Sequence, residues 1–303
     1  MNENLYALFE ERFPQDPLAA CLSSSDGRRV TYGELDAQSA RVANLLCSLG
    51  ARPGDRVAAQ VEKSLEAVFL YLGCIRAGCV FLPLNPAYQA GELTHLIGDA
   101  QPVVLVARPQ GMDVCRQIAG ETGVSHVLEL ADDGTGEFRD RLAIQSDKFQ
   151  TVHRDGADLA AILYTSGTTG RAKGAMLSHR NLAIGVRVLH ESWAFRPGDV
   201  LLHILPIYHF HGLFVALHCA FWNASEILFE LKVDARRAVT LLGRATVCMG
   251  VPTHYVRLLA EPSLDDAACH TMRLFISGSA PLLPSVFREF QGRTGHTILE
   301  RYG

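Results

Sequence analysis

The sequence predicts an α/β protein built on mostly parallel sheets. Apolar segments at helical spacing alternate with short apolar runs of strand length along almost the whole chain, the pattern of strand–helix–strand packing. Turn signals rich in Gly, Pro, Asn and Asp separate these segments. The 303 residues suffice for about two domains and a sizeable core.

The elements follow in order. Residues 31–50 place apolar side chains at helical spacing and stop on Gly50. The turn ARPGDRV leads into a short strand over 57–61. A helix is predicted over 64–78, then a strand over 80–84 stopped by Asn85-Pro86. The helix–strand theme repeats over 92–99 and 103–107. Residues 131–156 are the least regular, and a boundary is placed near Gly156, giving a first αβ subdomain over 1–156 and a second over 157–303. Strands are then predicted over 159–164, 200–205, 227–231, 247–250, 274–276 and 297–299. Helices are predicted to begin near His179, Gly212, Asp234, Thr253 and Leu283.

Composition narrows the classes. A net charge of −4 lacks the basic excess of a nucleic-acid binder. A polyanionic ligand would therefore need a local cluster of donors. No run approaches the ~20 apolar residues of a membrane span, and the N-terminal MNENLYALFEERFP has neither a signal core nor the look of a transit peptide. The eight cysteines form no C-x-x-C pair and sit mostly in apolar runs, as buried reduced thiols of a cytoplasmic protein do.

The most informative segment is ILYTSGTTGRAKGAMLSH, residues 162–179. A strand ends at Tyr164. Thr165, Ser166, Gly167, Thr168, Thr169 and Gly170 follow, with Lys173 and Gly174 close behind. Small residues let backbone N–H groups approach an anion, hydroxyls add donors, and the lysine adds a compact positive charge. The spacing is not G-x-x-x-x-G-K-[ST] running into a helix. GAMLSH reads as a strand, so this is a loop joining two strands and folding over phosphates. The alternative is a flexible hairpin turn.

This motif resembles the signature phosphate loop of the adenylate-forming (AMP-binding) superfamily, which holds the acyl-CoA synthetases. The resemblance implies the fold of that superfamily's N-terminal domain, two αβ layers with mostly parallel sheets. It also implies ATP, Mg²⁺ and coenzyme A as co-substrates, with Lys173 and the loop hydroxyls on the β- and γ-phosphates. Three more segments fall where the family places its acyl and adenine sites. In LPIYHFHGL, His209 would lie beside the reacting carboxylate, as a catalytic residue with Lys173; His211 and His218 read as structural. His209-x-His211 could suggest a metal, but no second ligand pair stands at a recognisable spacing, so no metal site is assigned. In ATVCMGVPTHYVRLL, Gly250 ends a strand, Thr253 is the expected N-cap, and Arg257 sits a turn later on the same face. Alone, Arg257 reads better as a surface arginine. The resemblance to malonyl-CoA synthetases, strongest here, turns it into a partner for the distal carboxylate of malonate or methylmalonate. In MRLFISGSAPLL, Ser277, Gly278, Ser279 and Ala280 would line the acyl and adenine pockets.

The sequence ends in LERYG. By resemblance Glu300, Tyr302 and Gly303 belong to the ATP site, with Tyr302 stacked on adenine. Family members continue into an M-T-E segment and a mobile C-terminal domain that supplies a catalytic lysine. The expectation is therefore an ATP-dependent acid–thiol ligase for a small dicarboxylic acid, with impaired turnover in this shorter chain. The alternatives are a weak or inactive ATP- and acid-binding fragment, or a synthetase for another small or aryl acid.

Overall fold

The computed structural model describes residues 2–165 and 172–302. Numbered along the chain, the strands are β1 (Ala20–Ser24), β2 (Arg29–Thr31), β3 (Arg56–Gln60), β4 (Val80–Pro83), β5 (Val104–Ala107), β6 (His126–Glu129), β7 (Leu159–Thr165), β8 (Lys173–Ser178), β9 (Val200–His203), β10 (Glu226–Phe229), β11 (Val247–Gly250), β12 (Leu274–Gly278) and β13 (Ile298–Arg301). They form a six-stranded sheet, β6-β5-β3-β4-β7-β8, and a seven-stranded sheet, β13-β12-β11-β9-β10-β1-β2. Only the hairpins β7–β8 and β1–β2 pair antiparallel among the described residues. The predicted class, mostly parallel α/β, is what the chain adopts.

The chain divides into two compact units, Met1–Glu11 with Gly33–Gly185, and Arg12–Tyr32 with Val186–Gly303. The boundary expected near Gly156 is not where it divides. β7 joins β4 at Ala161–Phe81 and carries β8 with it, so the hairpin completes the first sheet. Residues 12–32 belong to the second unit because β1 pairs with β10, with Leu22 opposite Ile227.

In the first unit β4 and β5 are buried at every position, as parallel strands covered on both faces must be. The helix Leu65–Arg76 is buried along its whole length and is capped by Ser64, whose hydroxyl accepts the Ala67 N–H at 3.2 Å. Leu93, Leu96 and Ile97 of the helix Ala90–Ala100 pack with Leu82, Leu105 and Met112. In the second unit Tyr255, Phe275 and Phe290 form the aromatic centre of the core, in edge-on contacts with ring centroids 4.9–6.5 Å apart. No described helix is long and apolar enough to cross a membrane. The cysteines are buried except Cys47, which is exposed because it lies on the outer face of the helix Tyr32–Ser48.

Candidate active site

In the first unit the phosphate motif joins β7 to β8. Thr165 opposes Lys173 and Tyr164 opposes Gly174 in the antiparallel ladder. The two strands expected on either side of the motif are what the chain forms, as β7 and β8. Ser166, Gly167, Thr168, Thr169 and Gly170 lie outside the described residues, as does Gly303. Thr165 and Lys173 are exposed, and Lys173 has no ion-pair partner among the described residues. Gly174 answers a packing need: a Cβ there would sit 2.8 Å from Ile162 Cγ2 and 3.3 Å from the Tyr164 ring. The Tyr164 hydroxyl donates to the Asp99 carboxylate, and burial together with that carboxylate raises the phenol pKa.

In the second unit the sequence after β9 turns through Pro206 and Tyr208 to His209. The His209 ring keeps access to solvent, lies 4.4 Å from the Tyr208 ring, and is pushed below the ordinary imidazole pKa by partial burial. A π-helical stretch, His211–Leu217, follows, a rare conformation that recurs at functional sites. Gly212 makes this turn possible, since a Cβ would lie 2.0 Å from the Pro206 carbonyl oxygen. The Gly212 carbonyl accepts from His203 Nε2 at 2.9 Å.

His211 is 3% exposed, and neither ring nitrogen has a hydrogen-bond partner among the described residues. Burial first, then Arg301 and His254, push its pKa down to about 4, so the ring is neutral at pH 7. It packs against Gly278, where a Cβ would be 3.1 Å from His211 Cε1. Arg301 on β13 stands opposite Gly278 on β12. Its guanidinium lies 5.7 Å from the Phe210 ring, has no acidic partner among the described residues, and has its pKa lowered by burial. Neither His211 nor Arg301 stands out in the sequence as part of a pocket. Their meeting depends on the long-range register of β12 and β13.

The other expected residues fall around the same strand ends. Ser277 is fully buried between Gly250 and Glu300 in the ladder, and its hydroxyl has no partner among the described residues. Ser279 holds φ of +69°, a strained conformation for a residue with a side chain. Ser279, Ala280, Pro281, Glu300, Arg301 and Tyr302 line an open hollow of about 370 Å³. The Glu300 carboxylate accepts the Leu282 N–H at 2.6 Å, and Tyr302 is fully exposed. Arg257 lies on the exposed face of the helix Pro252–Leu259 and makes no ion pair among the described residues. Thr253 is not the cap. Pro252 takes the first helical position, where a missing N–H is harmless, and Val251 becomes the N-cap, its N–H donated to His254 Nδ1 at 3.3 Å.

Residues 9–303 match the family of AMP-binding enzymes, to which the chain belongs. It is 30% identical to the malonate–CoA ligase of Arabidopsis thaliana, over 92% of this chain and 52% of that protein. It is 31% identical to the mitochondrial malonate–CoA ligase of Homo sapiens, over 91% and 51%. The apo crystal structure of MatB from Rhodopseudomonas palustris superposes with a TM-score of 0.96 at 49% identity, covering all of this chain and 60% of that one; the ATP-bound form gives 0.96 at 50%, with the same coverage. The chain spans about half the length of the curated relatives it matches.

Proposed function

We propose that the chain serves an AMP-forming acid–thiol ligase that activates a small dicarboxylic acid, malonate or methylmalonate, as its acyl-adenylate for transfer to coenzyme A. The observation that carries the dicarboxylate reading is the half-buried Arg301 beside His211 with no acid to pair it among the described residues. A desolvated guanidinium favours an anion strongly, and a carboxylate fits its fork. The names of the relatives, malonate–CoA ligases, support the same substrate.

In this reading Lys173, Thr165, Ser166, Gly167, Thr168, Thr169 and Gly170 receive the β- and γ-phosphates of ATP. Ser279, Ala280, Glu300, Tyr302 and Gly303 take its adenosine end. Gly250, Ser277 and Gly278 leave room for a short acid, with His209 at its reacting carboxylate. Neutral His209 can orient that carboxylate without neutralising its attack on the α-phosphorus. The oxygen of the acid bonds to phosphorus, pyrophosphate leaves, and positioning with charge stabilisation does the catalysis. Mg²⁺ would enter with ATP as part of the substrate and neutralise charge on its phosphates.

The test is ATP–pyrophosphate exchange with Mg²⁺ and a panel of malonate, methylmalonate, acetate, propionate and benzoate. Malonate-dependent exchange is expected. A site that must pair a desolvated charge discriminates by about 10⁴, so Arg301→Ala should erase the preference for malonate over acetate. Arg257→Ala in parallel assigns or removes that residue as the distal-carboxylate partner. Equal use of acetate by the unmodified chain would sink the dicarboxylate reading. ATP binding without exchange would leave the chain a nucleotide-binding portion that does not turn over.

A further inference from the structure

The phosphate hairpin projects from its sheet, since β7 is registered on β4 at Ala161, well before Thr165, and β8 is the edge strand. Something else must hold its far end. Two contacts do so, and both come from one face of the helix Ala90–Ala100. His95 Nε2 lies 3.2 Å from the Ala172 carbonyl. A carbonyl only accepts, so Nε2 carries the proton. Asp99, one helical turn on, accepts from the Tyr164 hydroxyl. The two residues therefore grip the two stems that flank the phosphate motif: Tyr164, next to Thr165, and Ala172, next to Lys173. Ile162, Tyr164 and Ala172 also pack on the cluster formed by Leu93, Leu96 and Ile97 of the same helix. Gly174, cross-strand from Tyr164, leaves space for the tyrosine ring on its way to Asp99.

We propose that His95 and Asp99 are positioning residues that set Lys173 and Thr165 for the terminal phosphates of ATP, acting through Ala172 and Tyr164. They touch no substrate. This rests on the assignment of Lys173 to the phosphates made above. The helix is thus a rigid element that fixes the aim of an otherwise weakly supported hairpin, and what it governs is the part of the nucleotide beyond the α-phosphate.

The experiment compares ATP and AMP binding, by calorimetric titration, for the unmodified chain and for Lys173→Ala, Tyr164→Phe, Asp99→Asn, His95→Ala and His95→Gln. AMP lacks the β- and γ-phosphates, so a clamp on Lys173 predicts a selective effect. Tyr164→Phe, Asp99→Asn and His95→Ala should each weaken ATP about tenfold and change AMP by less than about twofold. His95→Gln, which retains an N–H donor, should recover most of the ATP affinity. ATP affinity unchanged in all three clamp variants, while Lys173→Ala loses it selectively, would overturn the proposal and leave the phosphate assignment standing. Equal loss of ATP and AMP would also overturn it, as general damage. If Lys173→Ala itself fails to separate ATP from AMP, both the assignment and the clamp fall. Tyr164→Phe keeps the ring and its packing, so a fold defect in another variant does not remove the test.

Discussion

Asp199 is 2% exposed and is ionised because donors surround it. Burial pushes its carboxyl up. The Arg273 guanidinium (Nε to Oδ1 2.7 Å), the Arg196 N–H at 2.9 Å and the Thr246 hydroxyl at 2.8 Å overcome that and hold it below the usual carboxylate range. Arg273→Ala would strand this buried charge and should destabilise the protein by about 3–5 kcal/mol in urea denaturation at pH 7. A loss under about 1 kcal/mol would contradict the account. The folded pKa is lower than the unfolded one, so the stabilisation is present above the ordinary Asp pKa and is lost as pH falls through the folded value. The penalty of the variant should shrink in acid accordingly. Gly212 is the other residue on which local geometry turns. Gly212→Ala puts a methyl against the Pro206 carbonyl oxygen, 2.0 Å away, and the backbone carrying His209 and His211 must move. A loss of roughly 1–3 kcal/mol, the usual scale of overpacking, is expected in thermal unfolding.

The helices and strands differ in how legible they were. Val247–Gly250 was readable to the residue because a fully buried strand is a continuous apolar run between turns. The helix after Asp234 was also readable. Asp234 accepts the Arg237 N–H at 2.9 Å, and Asp234→Ala should cost about 1 kcal/mol in chemical denaturation. β1 and β2 carried too weak an alternation to declare themselves, and their place beside β10 follows from long-range pairing. The helix Met112–Thr122 and β6 after it passed unread between stronger signals. Glu137–Ala143 lies in the stretch read as irregular, behind a Gly-rich turn at Gly134 and Gly136. The β7–β8 hairpin was legible because two strand-length runs on either side of a Gly- and Thr-rich turn are written in consecutive residues. The Arg301–His211–Gly278 group was not, because three separate elements bring it together and a π-helical turn aims one of them. His95 and Asp99 were invisible for a related reason: their spacing is that of any helix face, and only the fold shows what the face meets.

For the molecule as a whole, three buried histidines make acid the weak side of stability. Burial pushes His179 in the first unit and His211 in the second down to about 4, and His218 in the second to about 3. Each is held neutral in the fold but takes up a proton near pH 6.5 once unfolded. The unfolded state therefore binds more protons between these values, and stability rises with pH there. The contribution of each neutral ring is fully present above about pH 6.5 and is lost as pH falls toward the folded value. Between pH 7 and pH 5 each histidine should remove about 2 kcal/mol. The unit holding two of them should lose about twice as much as the unit holding one, a large share of a typical stability of about 5–15 kcal/mol. The fluorophores separate the two readings, because Trp193 and Trp222, the only tryptophans in the sequence, both belong to the second unit. Urea unfolding followed by tryptophan fluorescence should therefore show the steeper fall in midpoint between pH 7 and pH 5. The far-UV signal, which reports both units, should lag behind it at pH 5. A fluorescence midpoint that stays level across that range would mean that His211 and His218 reach protons without unfolding, and would remove burial as the reason they are neutral.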